Sequence, residues 1–125
     1  MVNMKKNKPF SLHARSRSIK YAFEGLIVFF KQEHNARIHL AATILVIGLS
    51  IFFSVSRMEA IALFLTIGLV WMSEIFNTVI EEMLDFISMD KNPQIKVIKD
   101  LSAGAVLIAA LVAVITGCFI FIPKL

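Results

Sequence analysis

Apolar residues fall into three long runs separated by short polar interruptions. Ile38 to Val55 is the first. A polar stretch from Ser54 to Glu59 follows and predicts a tight external turn. The second run starts at Ala60 and is apolar to Met72. A helical pattern persists from there to about Ser88, although acids enter it. Leu101 to Ile122 is an uninterrupted third run, ended by Pro123. A hydrocarbon core roughly 30 Å thick needs about 20 apolar residues per helix. The pattern therefore predicts three membrane spans, over residues 36–55, 59–88 and 97–122. Ahead of them, residues 16–33 predict an amphipathic helix. Ile19, Ala22, Phe23, Leu26 and Phe30 share one face; Arg17, Lys20, Glu24 and Lys31 share the other. Such a helix lies in the membrane interface. Residues 1–14, polar and basic with Pro9, predict a flexible tail. Met89 to Gln94, with Asn92 and Pro93, predicts a loop. The fold class is all-α and integral to a membrane, with 15–125 as one domain. In the last span Ala103, Ala110 and Gly117 recur every seven residues. They are either a seam for close helix approach or ordinary small residues.

Composition sharpens the membrane reading. Apolar residues are 58% of the chain, against roughly 45–50% in soluble domains, and mean hydropathy is +0.77. Net charge is +4, and its placement orients the chain. Lys5, Lys6, Lys8, Arg15, Arg17, Lys20, Lys31 and Arg37 all lie before residue 38, and Lys91, Lys96 and Lys99 lie in one later loop. Arg57 and Lys124 stand at the opposite ends. By the positive-inside rule the N-terminus and the 88–98 loop face the cytoplasm, and three crossings leave the C-terminus outside. The basic charge is a topology and anionic-lipid signal, with no implication of nucleic acid. The start lacks the apolar run and cleavage site of a secretory signal. The single cysteine, Cys118, lies in an apolar run and reads as a packing residue.

Chemistry concentrates in the second span, in Ser73-Glu74-Ile75-Phe76-Asn77-Thr78-Val79-Ile80-Glu81-Glu82-Met83-Leu84-Asp85. At about 100° per residue, Glu74, Asn77, Thr78, Glu81 and Asp85 fall on one helix face, with Glu82 at its edge. Ile75, Val79, Ile80 and Met83 hold the other. Rising about 1.5 Å per residue from Glu59, the helix carries Glu74 into the cytoplasmic leaflet and Glu81 to the headgroups. Glu33 just before the first span, and Lys99 and Asp100 at the start of the third, reach the same membrane side. If the first helix stays regular, Glu33 falls on its apolar face and requires a cation or a donor. Crowded acids stay ionised with a divalent cation, with basic partners or by sharing protons. Oxygen ligands favour Mg²⁺ or Mn²⁺, and His13, His34 and His39 form no zinc-ligand pattern. A metal-binding catalytic site, an ion pathway and a structural polar interface all fit the residues. The phosphate-binding loop GxxxxGK[ST] and the protein-kinase signature set are absent. Any phosphate chemistry must therefore use an unrelated site.

Three blocks, in order on this three-span skeleton, resemble the small prokaryotic diacylglycerol kinase family, which includes undecaprenol kinases. They are Glu74-Ile-Phe-Asn77-Thr-Val-Ile-Glu81-Glu-Met-Leu-Asp85, then Lys99-Asp100 followed by small residues, and finally Ala22-Phe-Glu-Gly25-Leu with Gln32-Glu33-His34-Asn35-Ala-Arg37. The resemblance covers about residues 15–124. It implies an ATP- and Mg²⁺-dependent lipid kinase, homotrimeric, with sites shared between subunits. Its acceptor would be a membrane lipid alcohol, diacylglycerol or undecaprenol. Glu74 would be the general base, with Asn77 positioning groups. Glu33 and Glu81 would hold the metal bridging the ATP phosphates. Lys99 and Asp100 would contact the nucleotide, supported by Asp85. Ile98 departs from the family pattern, in a place often held by a small residue. Phosphoryl transfer needs positioning and charge neutralisation, and a carboxylate can take the acceptor's proton. The helix register gives a matching depth order, with Glu74 deepest and Glu81 and Lys99 shallower. The competing expectation is a small cation channel or transporter lined by the same acids. A structural membrane subunit is the third.

Overall fold

The structure is a computed structural model and describes residues 9–87 and 92–125. It contains four α-helices: α1 (Leu12–Gln32), α2 (His34–Phe52), α3 (Arg57–Ile87) and α4 (Pro93–Phe121), then a 3-10 turn over Ile122–Lys124. Three of them, α2, α3 and α4 with its closing turn, are long and apolar enough to cross a membrane. The chain divides into two compact units, the first ending at Asn35 and the second running Ala36–Leu125. The sequence reading drew one domain over 15–125.

In the first unit, α1 begins at Leu12, about one turn before the expected start at residue 16. Ser11, in extended conformation, accepts the Ala14 amide on its hydroxyl at 3.3 Å and caps the helix. The expected tail therefore shortens at its C-terminal end, and residues 12–14 are helical; residues 1–8 lie outside the described part. The Arg15 guanidinium sits 5.4 Å from the Phe10 ring centroid. Ile19, Phe23 and Leu26 are exposed along the helix. Glu33 ends it: its amide bonds back to the Phe29 carbonyl at 2.9 Å while its backbone turns extended (φ −95°, ψ 117°). The regular helix needed to place Glu33 on the apolar face thus stops one residue short.

In the second unit, α2 ends sooner than the apolar pattern does. Ser54 adopts φ 51°, its amide bonds the Ile51 carbonyl (3.2 Å), and the Val55 amide bonds the Ser50 carbonyl (3.1 Å). This paired closure is a Schellman cap with serine in the left-handed position usually given to glycine. Ser56 then opens α3. Its hydroxyl accepts the Glu59 amide at 3.1 Å, and the Glu59 carboxylate accepts the Ser56 amide at 2.9 Å, a reciprocal capping box. Glu59, expected in the turn, is the acid of the first helical turn. At the start of α4, the Asn92 side chain caps the Gln94 amide at 2.9 Å with Pro93 in the first turn. Asn92 and Pro93 therefore begin a helix rather than prolong a loop, because a helix's first amide needs no partner there. Residues 88–91 of the expected loop lie outside the described part.

Contacts give the order of packing. Asp85 meets Lys99, Asn77 meets Ser102, and Glu59 meets Lys124, so α3 and α4 are antiparallel. Glu74 meets His39 and Trp71 meets Thr43, so α2 and α3 are antiparallel too. The closest backbone approach is between α3 and α4. There Ser102 and Ala109 are buried on α4. This line lies one residue before the Ala103, Ala110 and Gly117 series, and a Cβ at Gly117 would meet nothing within 4 Å. The polar hydroxyl of Ser102 needed its partner, which the small-residue count could not register. Helix α2 reaches α3 through long side chains instead, and clefts open beside it. One of about 250 Å³ lies among α2, α3 and α4; another of about 470 Å³ follows α2 and α3.

The left-handed serine generates a prediction. Ser54→Gly should stabilise the protein by about 1 kcal/mol, since glycine adopts positive φ without a Cβ penalty. Reversible unfolding in mixed micelles measures it, and a lower midpoint for the variant would contradict the cap.

Candidate functional site

Glu74, Asn77, Glu81 and Asp85 follow one another along α3, each with a polar partner on another helix or one turn away. Glu74 is the buried charged residue among those described, 5% exposed. Its Oε1 lies 2.8 Å from Nε2 of His39 on α2. One turn on, Asn77 Oδ1 accepts the hydroxyl of buried Ser102 on α4 at 2.7 Å. That bond turns the Asn77 amide nitrogen toward Glu81 Oε1, at a longer 3.5 Å. At the helix end, Lys99 donates to Asp85 at 2.8 Å. Lys96 donates to Asp100 at 2.6 Å, one turn apart on α4. The expected crowd of mutually repelling acids is thus resolved mainly by basic partners: His39, Lys99 and Lys96 face Glu74, Asp85 and Asp100. The exposed pairs contribute little to stability by themselves. They fix where each charge sits. The pair within the helices is different, because an unpartnered carboxylate there carries a large desolvation cost.

The second unit lines up Glu74, Asn77, Glu81 and Asp85 along α3 and pairs Asp85 with Lys99, whereas Asp100 meets Lys96 of its own helix. Glu33 belongs to the first unit, half-buried at the end of α1. Among the described residues no group of three or more His, Cys, Asp or Glu side chains converges to hold a metal. Glu81 is half-buried and only loosely bonded, so its carboxylate keeps acceptor capacity. That suits Mg²⁺, which usually takes one or two carboxylates and completes its shell with substrate phosphates and water.

Sequence reasoning missed His39, Ser102, Thr43 and Trp71. His39 was weighed only as a zinc ligand. A polar side chain in an apolar helix is itself a signal that a partner exists. Naming the partner, 35 residues away, requires the helix pairing. Thr43 bonds the His39 carbonyl at 2.7 Å, and the Trp71 indole donates to Thr43 at 3.0 Å. These two residues, with His39, line the smaller cleft, whose other walls include Val46, Ala110 and Val114. An apolar cleft therefore ends against the ring that holds Glu74.

Comparison with known proteins places the class of this site. Residues 20–121 match the family model described as prokaryotic diacylglycerol kinase. An undecaprenol kinase of Bacillus subtilis (strain 168) is 35% identical over 109 residues, covering 87% of this chain and 89% of its own. A diacylglycerol kinase of Synechocystis is 38% identical over 112 residues, 86% of this chain and 62% of its own. The diacylglycerol kinase of Escherichia coli K12 is 31% identical over 100 residues, 80% and 82% respectively. The relatives are named as kinases of lipid alcohols, and the chain belongs to the prokaryotic diacylglycerol kinase family, a family of lipid kinases. Its apolar helices and its family give it a membrane location. Neither supports the cation-channel expectation.

The Ser102 bond can be tested directly. A hydrogen bond is worth about 0.5–1.5 kcal/mol, so Ser102→Ala should lower the lipid phosphorylation rate by roughly 2- to 10-fold by freeing the Asn77 amide. Ser102→Thr keeps the donor and should retain most of the rate. Equal rates for all three proteins would show that the orientation of Asn77 is immaterial.

Proposed function

We propose that the chain transfers the γ-phosphate of ATP to the hydroxyl of a membrane lipid alcohol. The acceptor is diacylglycerol, giving phosphatidic acid, or undecaprenol, giving undecaprenyl phosphate. The observation that carries this is Glu74: a buried carboxylate bonded to His39, whose ring lines an apolar cleft, in a polar series that continues to the helix end. A lipid chain occupies the apolar side while its hydroxyl meets Glu74. The lipid oxygen bonds the γ-phosphorus as its proton passes to the free oxygen of Glu74. The bond from that phosphorus to the β–γ bridging oxygen breaks, and ADP leaves. Positioning and charge neutralisation supply most of the acceleration in such transfers.

The other residues take roles consistent with their depth. Asn77, oriented by Ser102, positions groups beside Glu74. Lys99, held by Asp85, and Asp100 contact the nucleotide at the membrane surface. Glu33 and Glu81, each assigned by the family resemblance, would be the residues that hold Mg²⁺. When bound, that ion would supply charge neutralisation for the transferring phosphoryl group. We further propose a homotrimer in the cytoplasmic membrane, with the N-terminus and the site on the cytoplasmic side and the C-terminus outside. The exposed Ile19, Phe23 and Leu26 of α1 then lie in the interface. The protein has no nucleic-acid partner in this reading.

Two measurements test the reaction. Loss of a general base costs about 10²- to 10⁴-fold, so Glu74→Gln should fall by that factor while keeping its helical circular dichroism. Undiminished turnover would remove Glu74 from this role. A paired assay with diacylglycerol and undecaprenol in identical micelles ranks the acceptors; phosphorylation of neither would overturn the kinase reading. Chelation of Mg²⁺ should stop turnover and readdition restore it. Activity persisting in excess chelator would rule out the metal assignment to Glu33 and Glu81.

A further inference from the structure

His39 is bound up with Glu74 more tightly than charge balance requires. The imidazole Nε2 and Glu74 Oε1 are 2.8 Å apart, with side-chain exposures of 23% and 7%. A carboxylate that acts as a base only accepts hydrogen bonds, so in the proposed reaction Nε2 is the donor. The ring is itself braced. Trp71, three residues before Glu74 on α3, lies edge-on to it, centroids 6.2 Å apart at 62°. The Trp71 indole donates to Thr43, and the Thr43 hydroxyl donates to the carbonyl of His39. Helices α2 and α3 thus hold the imidazole through its ring and its backbone. The same ring forms part of the wall of the cleft of about 250 Å³.

We propose that His39 is a positioning residue for the phosphoryl-transfer base. Its Nε2–H takes one oxygen of Glu74 and so directs the other toward the hydroxyl of a lipid lying in the cleft. This rests on the proposed kinase reaction. In that reaction the proton leaving the lipid oxygen goes to the directed oxygen of Glu74, and His39 keeps its own hydrogen throughout. A hydrogen bond that merely satisfied a buried acid would leave turnover by folded molecules unchanged when replaced by another packing solution. A positioning bond would not, because proton transfer depends on the geometry of the acceptor.

The experiment compares His39→Gln, His39→Leu and Glu74→Gln in the full-length protein, in micelles containing the lipid that the parent protein phosphorylates. Glutamine can place an amide N–H near the Nε2 position, whereas leucine fills space without a donor. A misplaced catalytic group costs about 10- to 100-fold, so His39→Leu should lose that much in kcat with KM for ATP unchanged. His39→Gln should keep most of the parent kcat. Rates are taken per folded molecule, from the monodisperse fraction on size exclusion. If His39→Leu fails to fold, His39→Asn replaces it, since its shorter amide stops before the Nε2 position; it should lose kcat as leucine would. A donorless variant as active as the parent would overturn the proposal, as would a glutamine variant as impaired as the donorless one. Full activity in Glu74→Gln would instead overturn the reaction on which the proposal rests, so the two failures are separable.

Discussion

A carboxylate placed among membrane helices has to find a partner there, because neither lipid nor water is at hand to solvate it. In this chain that constraint falls on Glu74, and His39 answers it. The bond ties a specific turn of α2 to a specific turn of α3. Apolar packing between two such helices would not select that alignment, since lipid tails are as apolar as leucine. Once it is made, the neighbouring levels follow in order: Trp71 with Thr43 on one side, Asn77 with Ser102 on the other, and Lys99 with Asp85 at the end. The apolar residues fill the space around a register that polar pairs set.

The two kinds of helix contact have different results. Where α3 and α4 approach closely, small residues such as Ala109 are buried and little room remains. Where α2 meets α3, the bridging groups are an imidazole and an indole, and clefts remain beside them. Close packing therefore falls where α3 meets α4 and the clefts open beside α2, while polar pairs cross both contacts. The relatives are named for two different lipid alcohols. In the proposed transfer, polar groups would engage only the hydroxyl end and the apolar cleft the tail, which would accommodate that difference without a change of chemistry.

Much of this architecture was legible in the residues. Three apolar runs marked the membrane helices, and helical spacing put Glu74, Asn77, Glu81 and Asp85 on one face. Boundaries were less legible where capping decided them. Apolar Phe53 and Val55 continue the pattern of α2, yet the turn at Ser54 closes it. Asn92 and Pro93 carry turn chemistry, and at a helix start the same chemistry is capping. Partners between helices were illegible for a different reason. Periodicity reports which residues share a face, but not which face of another helix lies opposite. His39 and Ser102 thus passed as an unassigned histidine and a small polar residue. The break at Glu33 has no proline or glycine to announce it.

The length of α3 has a consequence for where the two reactants travel. Its 31 residues extend about 46 Å, some 16 Å more than a typical hydrocarbon core. With the Glu59–Lys124 pair marking one boundary, the surplus projects at the opposite end, around Asp85 and Lys99. In the proposed transfer, the water-soluble reactant is captured without crossing into oil, and the oil-soluble one without leaving it. The helix acts as a fixed ruler between two immiscible phases, and only a phosphoryl group passes along the last few ångströms.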